Sequence, residues 1–251
     1  MTVAVVLIGM LGALIGSFLN VVIHRVPAGE SIVSPGSRCP ECGRDIAPWD
    51  NVPVVSWLLL RGRCRHCGAS ISPRYPAVEL VTAITFAAVA AVRGVDDDLV
   101  LQLPFAAVLI AVAFIDVEHQ IVPNRIVVPA AIFGSAAGAV VMTGEVPEML
   151  AAGAGAFVAM LLIILAYPRG MGMGDVKLAG MMGLYLGLEV IPALFVGFLT
   201  GTAVGLGILA REGAAARKKR VPFAPFLALG GIVALLVGPE LIDLYREEVL
   251  A

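Results

Sequence analysis

The sequence predicts an all-α polytopic membrane protein, with about eight transmembrane helices and a zinc-ribbon-like insertion between helices 1 and 2. Three observations predict it. The 251-residue chain is 59% hydrophobic and only 14% charged, too apolar for an ordinary soluble domain. Its apolar residues gather into runs close to the roughly 20 residues that cross a bilayer. Its basic residues fall almost entirely in alternate connections between those runs.

Taken in order, the runs are 2–24, 77–93, 99–116, 126–143, 147–167, 175–188, 190–210 and 223–244. The first has neither a basic n-region nor an A-x-A cleavage site, so it is expected to be a retained helix rather than a removable signal. Gly16 and Ser17 within it are small residues suited to close helix packing. The sixth is short and rich in Gly and Met, as expected of a tilted helix or one that merges with the seventh. The expected division is 1–26 for the first helix, 27–76 for a cytoplasmic cysteine loop and 77–251 for a seven-helix membrane core.

Connections after odd-numbered helices hold fifteen Lys and Arg residues, from Arg25 to Arg220, whereas the opposite side holds only Arg93 and Arg246. By the positive-inside rule the cysteine loop is cytoplasmic and both termini lie outside. The run Arg217-Lys218-Lys219-Arg220 is read as an anchor to anionic lipid, so no nucleic-acid partner is expected.

All four cysteines lie in the insertion. Cys39 and Cys42 form one C-x-x-C, Cys64 and Cys67 another, separated by 21 residues, a spacing that lets two knuckles meet around one tetrahedral ion. Gly43 and Gly68 follow each second cysteine and permit the tight turns that aim backbone N–H groups at the sulfurs. Zinc is the favoured reading over iron or redox chemistry, and over disulfides, which seldom persist on a reducing side of the membrane. Four thiolates leave no open position, so the metal is structural and His66 a bystander.

Ionisable groups at the edge of membrane helices are costly and therefore functional candidates. Asp116 ends the third run, and Asp175 opens the sixth within "GMGMGDVKL" at 170–178. The topology puts both on the cytoplasmic side at similar depth. Singly, each has a plain structural reading, as a helix cap or a solvated terminus. Together they suggest acid–base chemistry on a peptide bond. Two carboxylates around one water do not both ionise, so one activates the water while the other donates a proton. Gly172 and Gly174 leave the backbone bare enough for an extended substrate, and Lys177 stands beside them. No G-x-S-x-G or H-E-x-x-H motif offers a rival nucleophile or metal base.

Six segments in order over essentially the whole chain resemble the type IV prepilin peptidases, membrane aspartyl proteases of the GxGD type. They are "GSFLNVVIHRVP" at 16–27, the double C-x-x-C loop, "SPRYPAVEL" at 72–80, "IDVEHQIVPN" at 115–124, "GMGDVKL" at 172–178 and "PFAPFLALGG" at 222–231. The resemblance implies that Asp116 and Asp175 are catalytic. It implies inner-membrane prepilin and pseudopilin substrates, cut after a glycine at the cytoplasmic face. It further implies methylation of the new N-terminal residue from S-adenosylmethionine, an activity associated with members that carry the cysteine loop. Asn124 and Ala224 depart from the common Asp and Gly of relatives.

For methyl transfer the residues alone say less. No dinucleotide-type glycine fingerprint precedes a helix, so a donor pocket would have to be built from helix 1, the cysteine loop and neighbouring helices. Asn20, His24, Arg25, Gly62, Arg63 and Glu79 are the polar candidates to line it. Two rival readings use the same residues: an ion- or proton-coupled transporter working through the two aspartates, and a zinc-ribbon scaffold without turnover.

Overall fold

The computed structural model describes residues 1–141, 143–167, 171–213 and 221–250. Arg169, Gly170 and the cluster Arg217 to Arg220, which entered the topology and motif readings, lie outside these residues. Among the described residues the chain is helical, with no extended strand and only two isolated antiparallel bridges, Arg38 to Asp45 and Arg63 to Ser70.

The helices are α1 (Thr2–Ala28), α2 (Val55–Leu59), α3 (Arg74–Arg93), α4 (Leu99–His119), α5 (Asn124–Val141), α6 (Val146–Ala166), α7 (Met173–Leu186), α8 (Val190–Glu212) and α9 (Ala224–Leu250). Apart from the short α2 in the cysteine loop, they correspond one to one with the eight predicted runs. Seven stretches are long and apolar enough to cross a membrane, because α7 and α8 join into one of 40 residues. That stretch would measure ~60 Å as a single helix, about twice a hydrocarbon core. It breaks at Gly187, where φ is +55°, into helices of 14 and 23 residues.

The chain divides into two compact units, Met1–Val95 and Asp96–Ala251. In the first, α1 and α3 run antiparallel along a seam of small residues. A Cβ on Gly12 would meet the Thr82 carbonyl at 2.8 Å, and one on Gly16 would meet Glu79 Cα at 2.6 Å. Close approach of two helices through a Gly-x-x-x-Gly pair explains why glycine stands at both positions. In the second unit α4 is the central helix, burying Phe105, Leu109 and Ile115, with α5, α7 and α9 packed around it. Pro239 and the non-helical Val237 kink α9.

Candidate active site and the cysteine-loop cavity

In the second unit Asp116 lies in the last turn of α4, 6% exposed, and Asp175 in the first turn of α7, 7% exposed. Both are far more buried than a charged side chain ordinarily tolerates. Asp116 is near enough to act electrostatically on Asp175, and among the described residues no Lys or Arg is paired with either. Helix N-termini supply the compensation. The Ala224 N–H at the start of α9 donates to Asp116 Oδ2 at 3.0 Å, and the Phe223 N–H also donates to this carboxylate. The Gly172 N–H donates to Asp175 Oδ2 at 3.0 Å. Unpaired N–H groups and the positive end of a helix favour negative charge.

Asp175 is therefore the third residue of its helix and not its N-cap, which is Gly172. Its carboxylate reaches back to the cap while the Asp175 N–H donates to the Gly172 carbonyl at 3.0 Å, a reciprocal arrangement like half of a capping box. Gln120 adopts a left-handed turn, φ +53°, with its N–H on the Asp116 carbonyl at 2.9 Å. The turn sends the chain back across the start of α7. Val122 then occupies the space beside Gly174, where a Cβ would lie 2.6 Å from the valine Cβ. Gly172 is exposed and uncrowded: a Cβ there would make only ordinary contacts, the nearest with Asp175 Oδ2 at 3.6 Å. Lys177 donates to Asn124 Oδ1 at 3.0 Å, tying α7 to the start of α5. Val122 belongs to this corner and carries no mark in the sequence, and the contacts of Asn124 and of the Ala224 N–H are not foreseeable from it. Ala224 acts through its backbone N–H.

In the first unit the four sulfurs lie within 4.8 Å of one another, all as free thiols. The Cys39 and Cys67 sulfurs are 3.8 Å apart, close to the ~3.8 Å edge of a tetrahedron with ~2.3 Å zinc–sulfur bonds. The knuckles are near copies. Cys39 N–H donates to Arg44 and Cys64 N–H to Ala69, at 3.0 and 2.8 Å, and Gly43 and Gly68 take φ of +67° and +73°. The N–H groups of Cys67 and His66 bring the Cys64 thiol down to about 7. Cys67, although the Ala69 N–H favours its thiolate, is pushed up to about 11 by desolvation and by the thiols around it. Crowded sulfurs of this kind call for a divalent cation, and this cluster can hold zinc. Arg44 Nη1 lies 3.2 Å from His66 Nδ1, so the histidine joins the two knuckles from outside the sulfur set.

Beside the knuckles is a cavity of about 590 Å³, within the usual size for a small-molecule site. Asn20, His24, Arg25 and Glu79 line it; Gly62 and Arg63 do not. Gly62, φ +65°, lies against the Trp57 indole, which a Cβ would meet at 2.9 Å. Trp57 lines the cavity too and donates to the Ile71 carbonyl at 3.1 Å. Val54 had drawn no attention, yet it holds φ +62° and ψ −50°, an outlier for a β-branched residue. This conformation turns its N–H onto Glu79 Oε2 at 2.7 Å.

Paired buried carboxylates in an apolar helical bundle define a class: polytopic membrane proteins that keep acid–base groups at helix ends. Known proteins narrow it. Residues 10–92 match a family model described as the bacterial peptidase A24 N-terminal domain, and residues 103–206 match one described as the type IV leader peptidase family. A prepilin leader peptidase/N-methyltransferase of Pseudomonas aeruginosa is 33% identical over 95% of this chain and 92% of its own length. Proteins with that same name from Bacillus subtilis and Aeromonas hydrophila are 35% and 34% identical, over 95% and 97% of this chain and 96% and 94% of theirs. The chain belongs to the type IV leader peptidase family. No solved structure matches it.

Proposed function

We propose that Asp116 and Asp175 are the catalytic pair of this enzyme. The protein cleaves the leader peptide of type IV prepilins and N-methylates the new amino terminus, a function supported by its family and its relatives. It is a multi-pass protein of the inner membrane, and the transporter and scaffold readings are not favoured. The observation that supports the assignment best is that two buried carboxylates are served by helix N-terminal N–H groups and, among the described residues, by no cation.

The chemistry follows from that setting. The ionised carboxylate takes a proton from a water that attacks the carbonyl of the leader glycine, while the protonated partner donates to the departing amine. N–H groups from α7 and α9 steady whichever carboxylate carries charge. Gly172, exposed and without a side chain, is the place for an extended substrate backbone; Gly174 and Lys177 shape and hold the turn beneath. The active site and cysteine loop face the cytoplasm, and both termini lie outside. Asp116→Asn and Asp175→Asn should each lower leader cleavage by ~10²–10⁴-fold while zinc content stays at the wild-type level. Cleavage retained in either variant would remove that residue from the mechanism.

For the second activity, the cavity beside the cysteine knuckles is the site of the methyl donor, S-adenosylmethionine, and zinc on Cys39, Cys42, Cys64 and Cys67 holds its wall in shape. Bound there, the donor supplies an electrophilic methyl group on a sulfonium. The fit rests on the cavity's volume and on buried polar groups in its wall. Ala47→Trp, which places an indole at the cavity wall, should abolish binding of S-adenosylhomocysteine by the purified protein. Unchanged binding would move the donor elsewhere.

A further inference from the structure

The floor of this cavity is the seam between α1 and α3, and it holds two buried acceptors. Asn20, 3% exposed, gives its amide nitrogen to the carbonyls of Gly16 and Tyr75, at 3.3 and 3.0 Å. Because both partners are carbonyls, the nitrogen must face them, which leaves Oδ1 turned away. That oxygen is buried without any partner, a costly arrangement that a ligand donor would relieve.

Glu79, 8% exposed, is the second acceptor. Its carboxylate takes the Val54 N–H at 2.7 Å and the Ser17 hydroxyl. Both donors are neutral, so the negative charge is not compensated by them. Of the guanidinium groups that line the cavity, Arg25 is on the carbonyls of Ser31 and Gly36, Arg38 on Asp45, Arg44 beside His66, Arg65 in a two-pronged pair with Asp50, and Arg74 lies over the Tyr75 ring. The acceptors sit on successive rungs of one seam. Ser17 and Asn20 are three residues apart on α1, Tyr75 and Glu79 four apart on α3, which puts each pair on one helix face about one turn apart.

We propose that Glu79 and Asn20 form a subsite for a primary ammonium group. The carboxylate supplies the opposite charge and Oδ1 accepts an N–H. The proposal rests on the cavity being the methyl-donor site and extends it. Two ammonium groups take part in the reaction: the new amino terminus of the cleaved substrate and the amino-acid end of the donor. If the substrate amine occupies the subsite, Glu79 also accepts its proton. The neutral amine then forms the N–C bond as the methyl–sulfur bond breaks, and that electron pair stays on sulfur as a thioether. The proton on Glu79 leaves to water.

The test uses purified full-length protein, with Glu79→Gln, which still accepts the Val54 N–H, and Glu79→Asp, which restores the charge. Leader cleavage, carried out at residues of the other unit, measures the folded fraction. Binding of S-adenosylhomocysteine is compared with that of 5′-methylthioadenosine, which lacks the amino-acid end, and kcat and KM are measured with a pre-cut peptide. A loss of roughly 10–100-fold for S-adenosylhomocysteine alone, recovered in part by Glu79→Asp, supports the subsite and assigns it to the donor. Unchanged nucleoside binding with a similar loss in peptide kcat/KM supports it and assigns it to the substrate amine. Equal loss for both nucleosides, or no loss in any measurement, overturns it. Failure of the cavity assignment is distinguishable, since S-adenosylhomocysteine would then still bind to Ala47→Trp.

Discussion

Gly174 illustrates how much a single residue settles at the aspartate corner. Its missing side chain makes room for Val122, and the nearest atom a Cβ would strike is the valine Cβ itself, at 2.6 Å. Gly174→Ala should therefore destabilise this corner by ~1–3 kcal/mol and slow leader cleavage. Val122→Ala keeps the offending atom and should not rescue it; Val122→Gly should. Cleavage rates and thermal midpoints of the three variants check this, and an unaffected Gly174→Ala protein would refute the packing role. The sequence reading took this glycine as bare backbone for a substrate. Proximity to a residue 52 positions earlier leaves no local mark that would have suggested otherwise. The same holds for Ala224, whose contribution is a main-chain N–H that every residue but proline possesses.

The cysteine knuckles are the element most fully legible in the chain, because a C-x-x-C-Gly unit encodes its own turn. The two sulfurs, the glycine at positive φ and the N–H groups that face the thiolates all come from within six consecutive residues, Cys64 to Ala69 in the second knuckle. Meeting of the knuckles is what a metal bound by the four sulfurs would enforce. Residues 27–73 offer few buried apolar side chains, so zinc binding and folding of this loop should be one event. One zinc per chain is expected, and Cys39→Ser or Cys67→Ser should lose it and lower the thermal midpoint. A chelator should do the same to wild-type protein, with S-adenosylhomocysteine affinity falling in parallel. Loss of zinc without any change in midpoint or affinity would show that the loop holds itself.

Across the whole molecule, the sorting of basic residues predicts one orientation in the bilayer. A cysteine placed at Asp97, in the acidic turn between α3 and α4, should react with a membrane-impermeant maleimide from outside intact cells. The native cysteines of the loop should react only after permeabilisation and removal of zinc. The reverse pattern would overturn the topology, and with it the placement of both carboxylates at the inner face. At this scale the break at Gly187 matters as well. A 40-residue apolar stretch reads by composition as one span, and it takes a glycine with positive φ to turn the chain back so that the start of α9 reaches Asp116.

What the sequence by itself determined are the properties written in neighbouring residues: helix positions from apolar runs and the turn chemistry of the knuckles. Tertiary structure alone decided which distant groups serve Asp116 and Asp175, which polar residues share a cavity and which glycines are filled by a neighbour. Helix N–H donors, an orphaned amide oxygen and a strained valine become meaningful only once segments 25 to 108 residues apart are brought together. Local pattern constrains the backbone over a few turns. The partners of a buried charge are chosen by the path of the whole chain.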